Sequence, residues 1–252
     1  MKKIDFKVAG KKYCYRVPEK WSEVTAEQFK LYVEADGFVD LDFVRRLISL
    51  DDVVSVNLSI SDWWWLVNEF EWMKSTDDIG KLFIEDVTMP DGTVCYGYNP
   101  DFSDITWEEW TFADTYASAG RWNVVAAVLY RPERKKWDRE SDRRIPFTKY
   151  GTEKRMDQMA KLDKLTLKAI QVNYLILRKR LTDHYIHLFY DHVDEVEEGK
   201  KAEKQHTDWL QLIRNMMGDN FYEESKYLQL SVPSVLFQLE RRVKEAKENG
   251  KR

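Results

Sequence analysis

Apolar and polar residues alternate at the start of the chain. Ile4, Phe6 and Val8 are separated by single polar residues, and after Gly10 the alternation resumes through Tyr13, Tyr15 and Val17. Period-two alternation about a glycine predicts a β-hairpin. Pro18 ends its second strand and bends the chain away. Thr25 then has Gln28 three residues on, with Val24 before it and Phe29 at the fourth helical position. That spacing predicts a helix opened by a capping box and a hydrophobic staple. The same order returns further along. Cys14-Tyr-Arg-Val-Pro-Glu-Lys-Trp-Ser-Glu-Val-Thr-Ala-Glu-Gln-Phe29 aligns with Cys95-Tyr-Gly-Tyr-Asn-Pro-Asp-Phe-Ser-Asp-Ile-Thr-Trp-Glu-Glu-Trp110, with one residue gained before the proline and one lost after it. Phe83–Met89 and Val94–Tyr98 flank Asp91-Gly92 as a second hairpin, and Ile105, Thr106, Glu109 and Trp110 repeat the cap. Leu41–Leu50 and Trp122–Tyr130 supply a second helical stretch after each capped helix. Self-similarity on this scale reads as an internal repeat.

From about Glu153 to Tyr190 the chain lacks Gly and Pro, and Met156, Met159, Leu162, Ile170, Tyr174, Leu177, Leu181, Tyr185 and Leu188 keep a helical spacing. If unbroken, this is one long helix. Glu195-Val-Glu-Glu-Gly-Lys-Lys is a polar break, and a helix near His206–Met217 ends at Gly218. Pro233 opens the last helix, with Leu236, Leu239 and Val243 as its apolar stripe. The expected fold is α+β and mostly helical, with two repeated β-hairpin-plus-helix modules followed by a helical C-terminal region. The expected divisions are 1–80, 81–150 with an Arg-rich insert, and 151–252.

Composition narrows the class. With 43% hydrophobic and 14% aromatic residues, the 252-residue chain carries enough apolar surface for a core. Cys14 and Cys95 are too few for a disulfide framework or a structural zinc site, and both read as small buried residues in strand pattern. Met1-Lys-Lys-Ile-Asp-Phe6 does not read as a secretory signal. No run approaches the roughly 20 apolar residues of a membrane span. A protein with no membrane partner is expected.

Charge is segregated along the chain. Residues 1–130 hold 13 Lys+Arg against 23 Asp+Glu and residues 131–252 hold 27 against 21, so −10 and +6 combine into the net −4. No basic residue lies between Lys81 and Arg121, whereas Arg131-Pro-Glu-Arg-Lys-Lys-Trp-Asp-Arg-Glu-Ser-Asp-Arg-Arg144 is dense in them. Opposed fields of this kind orient association between domains or between copies. Residues 3–33 carry seven basic and four acidic side chains, while the second copy of the repeat is purely acidic. Two copies of one shape and opposite charge can dock head to tail, a heterologous contact that closes into a ring where the rotation permits. The interface candidates are Glu108, Glu109, Arg134, Lys135, Lys136, Arg143 and Arg144. Trp63 and Trp64 join them, because in Ser61-Asp-Trp-Trp-Trp-Leu-Val-Asn-Glu-Phe-Glu-Trp-Met73 they cannot both share the face of Trp65, Phe70 and Met73.

No phosphate-cradling glycine loop, nucleophile elbow or Cys/His pair stands out, so no catalytic residue and no cofactor is expected. His184, His187, Asp191 and Glu195 lie near one helical face; a polar face accounts for them better than a metal site, as no second cluster completes a shell. The basic 131–155 segment can touch phosphates, but five acids interleave its ten Lys/Arg, which makes nucleic acid a secondary partner.

The doubled unit resembles segments in late-gene proteins of tailed bacteriophages infecting Bacteroidota, of the head–tail connector or tail-assembly kind. The resemblance covers roughly residues 1–135 and rests on Pro18, Thr25 and Glu27 and on Pro100, Thr106 and Glu108. It implies a virion or assembly role without catalysis and carries over no binding residue; with the opposed charges, the expected function is a non-enzymatic virion protein, made in the bacterial cytoplasm, that forms a ring in the neck or tail with copies of itself and other virion proteins. The alternative it implies is a tail-assembly chaperone or scaffold absent from the mature particle.

Overall fold

The computed structural model describes residues 1–136, 142–189 and 224–250. The protein is α+β, with eleven α-helices and two small sheets among these residues. It divides into two compact units, residues 1–84 with 163–176, and 85–162 with 177–252. The expected divisions fall at 80 and 150; one helix contributes residues to both of these units.

The first unit opens with strands β1 (Lys2–Val8) and β2 (Lys11–Val17), antiparallel with Val8 opposite Lys11. The two-residue turn needs positive φ at both positions, and Ala9 (50°) and Gly10 (79°) supply it. After Pro18 the chain enters helix α1 (Ala26–Glu34), where both bonds of the capping box between Thr25 and Gln28 are made. Such a cap contributes about 1 kcal/mol. Val24 and Phe29, the two residues of the expected staple, are fully buried. Helices α2 (Leu41–Leu47), α3 (Asp52–Ser55) and α4 (Ile60–Asn68) follow. The core is aromatic: Phe29 stacks on Phe83 at 4.0 Å, and Trp21 meets Tyr32 edge-on at 5.0 Å. The Trp21 indole donates to the Ser75 carbonyl, so its polar edge is not left unpaired.

The second unit begins with β3 (Asp86–Thr88) and β4 (Val94–Tyr96), turned at Gly92. Helix α5 (Trp107–Ser118) is N-capped by Thr106, and helix α6 (Trp122–Leu129) is buried from Val124 onward. The chain then returns as β5 (Arg131–Pro132), a third strand that pairs with β4 and that the alternation pattern does not announce. Main-chain bonds from Trp107 to Leu230 and from Val232 to Ile105 satisfy groups at the start of α5.

The single helix expected over 153–190 is instead three. Helices α7 (Lys149–Met159), α8 (Lys164–His184) and α9 (Ile186–Phe189) are separated at 160–163 and at Tyr185. The cause of the first break is local: Asp163 accepts from the Thr166 amide at 2.8 Å and so caps a new helix. Residues 164–176 of α8 belong to the first unit and the remainder to the second. Helices α10 (Glu224–Leu228) and α11 (Val232–Gly250) complete the described chain. Pro233 sits in the first turn of α11 as expected, with Leu236 and Leu239 buried. The helix expected near 206–217 and its end at Gly218 lie outside the described residues.

Within the first unit, the fully buried Asn173 of α8 accepts from the Phe83 amide at 2.7 Å and donates to the Lys81 carbonyl at 3.2 Å. Asn173→Leu strips both groups of their partner. A loss of about 1–3 kcal/mol for each group left unsatisfied is expected, measured by urea unfolding.

The cysteines differ. Cys95 is buried as expected, but Cys14 is exposed, because it lies on the outer face of β2 opposite Asp5. Burial pushes the Cys95 thiol up to about 11. Its thiolate is therefore scarce at pH 8, whereas Cys14 is open to reagent. A disulfide reagent is expected to titrate one thiol in the native protein and two after denaturation; two fast native thiols would contradict the buried position of Cys95.

Candidate functional site

The Arg-rich segment forms an arm whose ends are laddered together. Arg134 donates its amide to the Arg143 carbonyl at 2.9 Å, Ile145 donates to Pro132 at 2.8 Å, and Glu133 bridges Arg144. Residues 137–141 lie outside the described chain.

The root of the arm is a buried ionic network. Arg131 is fully buried, and its guanidinium donates to Glu109 Oε1 at 2.6 Å and to Asp142 Oδ2 at 2.8 Å. Arg144, 1% exposed, reaches Asp142 Oδ1 at 2.8 Å, the Leu129 carbonyl at 2.8 Å and the Asp104 carbonyl at 2.9 Å. The Asp104 carboxylate stands 3.1 Å from the same guanidinium. Two cations thus hold three acids. Burial pushes Glu109 and Asp104 above the ordinary carboxylate range, against the pull of Arg131 on the first and Arg144 on the second. Burial also works against ionised Asp142, but hydrogen bonds and charge from Arg144, with the charge of Arg131, hold it below that range. Both guanidiniums and Glu109 are buried, with Asp104 and Asp142 half-buried at the edge; pairing of this quality is what permits such charges inside a protein.

This arrangement corrects two of the expected interface residues. Glu109 and Arg144 present no side chain to a partner, because each is consumed inside the unit. It also corrects the second capping box. Thr106 accepts from the Glu109 amide, but the Glu109 carboxylate turns to Arg131 instead of back to the cap. Other candidates remain outside. Lys135 and Lys136 are exposed, and Glu108 lies 3.8 Å from Lys149. Arg134 donates to the Arg144 carbonyl. Arg143 lies 3.4 Å over the Tyr96 ring and pairs with Glu133 at 2.7 Å, so it is fixed rather than trailing.

The first unit holds a second candidate surface. On α4, Leu66 is the residue turned fully inward, and Phe70 and Met73 beyond the helix are buried with it. Trp65, expected with Phe70 and Met73, is instead 43% exposed and lies 5.8 Å from the Lys2 ammonium. Trp63 is half-buried and Trp64 is 67% exposed. Ile60, one turn before Trp64 on the same helical face, is 81% exposed, and Val56 is 80% exposed. Val53 is also exposed. Ser59 and Asp62 form a complete capping box that fixes where this helix starts, and hence the direction of Ile60 and Trp64. Val53, Val56 and Ile60 escaped sequence reasoning, although the four-residue spacing of Ile60 and Trp64 after a capping serine was a usable signal.

Among the described residues no group of three or more His, Cys, Asp or Glu is arranged to hold a metal ion. His184 lies at the end of α8 and is exposed, while Asp191 and Glu195 of the same stripe lie outside the described chain. No described helix is long and apolar enough to cross a membrane. The chain matches no known protein family, no curated protein and no solved structure.

Proposed function

We propose that this chain is a non-catalytic structural protein of a tailed-phage particle, a ring-forming subunit of the neck or tail. Its two hairpin–proline–capped-helix segments are copies of one unit, and the caps at Thr25 and Thr106 support that reading. The observation that carries the assembly role is the exposed apolar stretch Val53, Val56, Ile60 and Trp64, which runs from α3 into the capped helix α4. Large exposed apolar side chains close together mark a surface built for a partner. The arm supports the same reading, since Lys135 and Lys136 stand exposed beyond its buried root. The resemblance to phage late-gene proteins supplies the setting.

Quantitative mass spectrometry of purified particles tests the assignment. The chain is expected at a fixed ratio to the other virion proteins. Its presence in the lysate with absence from the particles would overturn the virion assignment in favour of a transient assembly factor.

A further inference from the structure

The outer face of the β1–β2 hairpin is a ladder of cations. The register sets Lys3 opposite Arg16 and Lys7 opposite Lys12, with Asp5 opposite Cys14 between them. Strand alternation turns all six away from the buried Ile4, Tyr15 and Val17, and all six are exposed. Asp5 holds Lys12 at 2.8 Å, but Lys3, Lys7 and Arg16 make no ion pair among the described residues. Like charges directly opposite each other destabilise a strand pair. The hairpin does not require them. In the aligned hairpin of the second unit, the positions matching Asp5, Lys7 and Cys14 are Val87, Met89 and Cys95, all buried. The first hairpin thus leaves uncovered, and loads with opposed cations, a face that the second one buries.

The composition of this face selects its partner. It carries no aromatic or aliphatic side chain, and Cys14 is its least polar member. The centre of a protein interface is apolar and poor in lysine, whereas nucleic-acid interfaces are polar and strongly positive. Single strands are gripped by stacking their bases on aromatic rings, which this face does not offer. A duplex presents its phosphates outward, and cations suffice to meet them.

We propose that the outer face of the β1–β2 hairpin binds the phosphate backbone of duplex nucleic acid through Lys3, Lys7 and Arg16, without reading its sequence. Neutralising phosphates relieves the repulsion that the opposed pairs build into the free hairpin. The contact adds to the assembly role proposed above and does not depend on it.

Fluorescence polarisation of a labelled DNA duplex, titrated with the full-length chain at stepped salt, tests the contact. Each phosphate neutralised contributes about 0.9 to the slope of log affinity against log salt. The variant carrying Lys3→Gln, Lys7→Gln and Arg16→Gln is therefore expected to flatten that slope by about 2.7. Between about 50 and about 200 mM salt, the wild type then loses roughly 40-fold more affinity than the variant. A second duplex of unrelated sequence is expected to bind equally well. The urea midpoint of the variant is expected to equal or exceed that of the wild type, because both opposed pairs are broken, so lost binding is not lost folding. No duplex binding at low salt overturns the proposal, and so does a slope that the variant leaves unchanged. A slope that falls only with Lys135→Gln and Lys136→Gln places the contact on the arm and overturns it. A triple variant that loses self-association while keeping duplex binding overturns it in favour of an acidic protein partner for this face.

Discussion

Arg131→Met is expected to destabilise the second unit by about 3–5 kcal/mol at neutral pH, the cost of removing one partner from a buried ion pair. Methionine fills much of the arginine volume, so packing is largely kept and the loss is electrostatic. Glu109, 4% exposed, then faces an apolar side chain in place of a guanidinium 2.6 Å away. Glu109 Oε2 and Arg131 Nε already lack hydrogen-bond partners in the wild type, so the pair has little reserve. Removing both charges, as in Arg131→Met with Glu109→Met, is expected to recover much of the loss, because Glu109 is no longer a buried carboxylate without its cation and Asp142 keeps Arg144 as a partner. The double-mutant cycle in urea measures the coupling directly.

The pH dependence has a definite sign. The ordinary glutamate value is 4.5, and burial already raises folded Glu109 above it. Without Arg131 that carboxyl rises further, so the folded variant takes up a proton at a pH where the unfolded chain has not. Lowering the pH from neutral towards 4.5 is therefore expected to shrink the deficit of Arg131→Met relative to wild type. Asp142 acts in the opposite direction and only lower: its folded carboxyl is held below 3.8, so its contribution is lost as pH falls through that depressed value. A deficit that grows between neutral pH and 4.5 would contradict the assigned state of Glu109.

The second large effect is on assembly. Ile60→Glu with Trp64→Glu is expected to abolish self-association while moving folding stability by no more than about 0.5 kcal/mol. Both side chains are mostly exposed. Position 60 is the first residue of α4, where a carboxylate is favourable to the helix dipole, and glutamate is a good helix former at 64. A buried tryptophan anchor contributes about 2 kcal/mol or more at an interface, near thirtyfold in the dissociation constant, before two carboxylates are set against a partner. Sedimentation velocity reads association, and urea unfolding reads stability. Unchanged sedimentation would remove this surface from the account.

What the sequence made legible was local. The glycine turns, Pro18 at the end of β2, and the caps at Thr25 and Thr106 act within four residues, and each lies where its spacing places it. The Asp163–Thr166 cap acts over the same range and was legible in principle, but the apolar spacing on either side hid the break. The ionic network was hidden by distance along the chain. Arg131 and Arg144 lie 22 and 40 residues from Glu109 and Asp104 in a stretch that reads as a solvated basic surface. Its trace in the sequence is one difference between the two aligned stretches. Gln28, an amide, closes its capping box, whereas Glu109 at the matching position is a carboxylate recruited by a guanidinium. The exposed Ile60 escaped for the opposite reason, since apolar residues at helical spacing are read as core until the structure shows which way the helix faces.

The most direct test of an assembly role is the solution mass of the wild-type protein, by light scattering across a range of concentration and salt. A discrete oligomer is expected, a whole-number multiple of the 30.2 kDa chain, which dissociates as salt screens its exposed lysines and carboxylates. A 30.2 kDa monomer at every concentration and salt would contradict it.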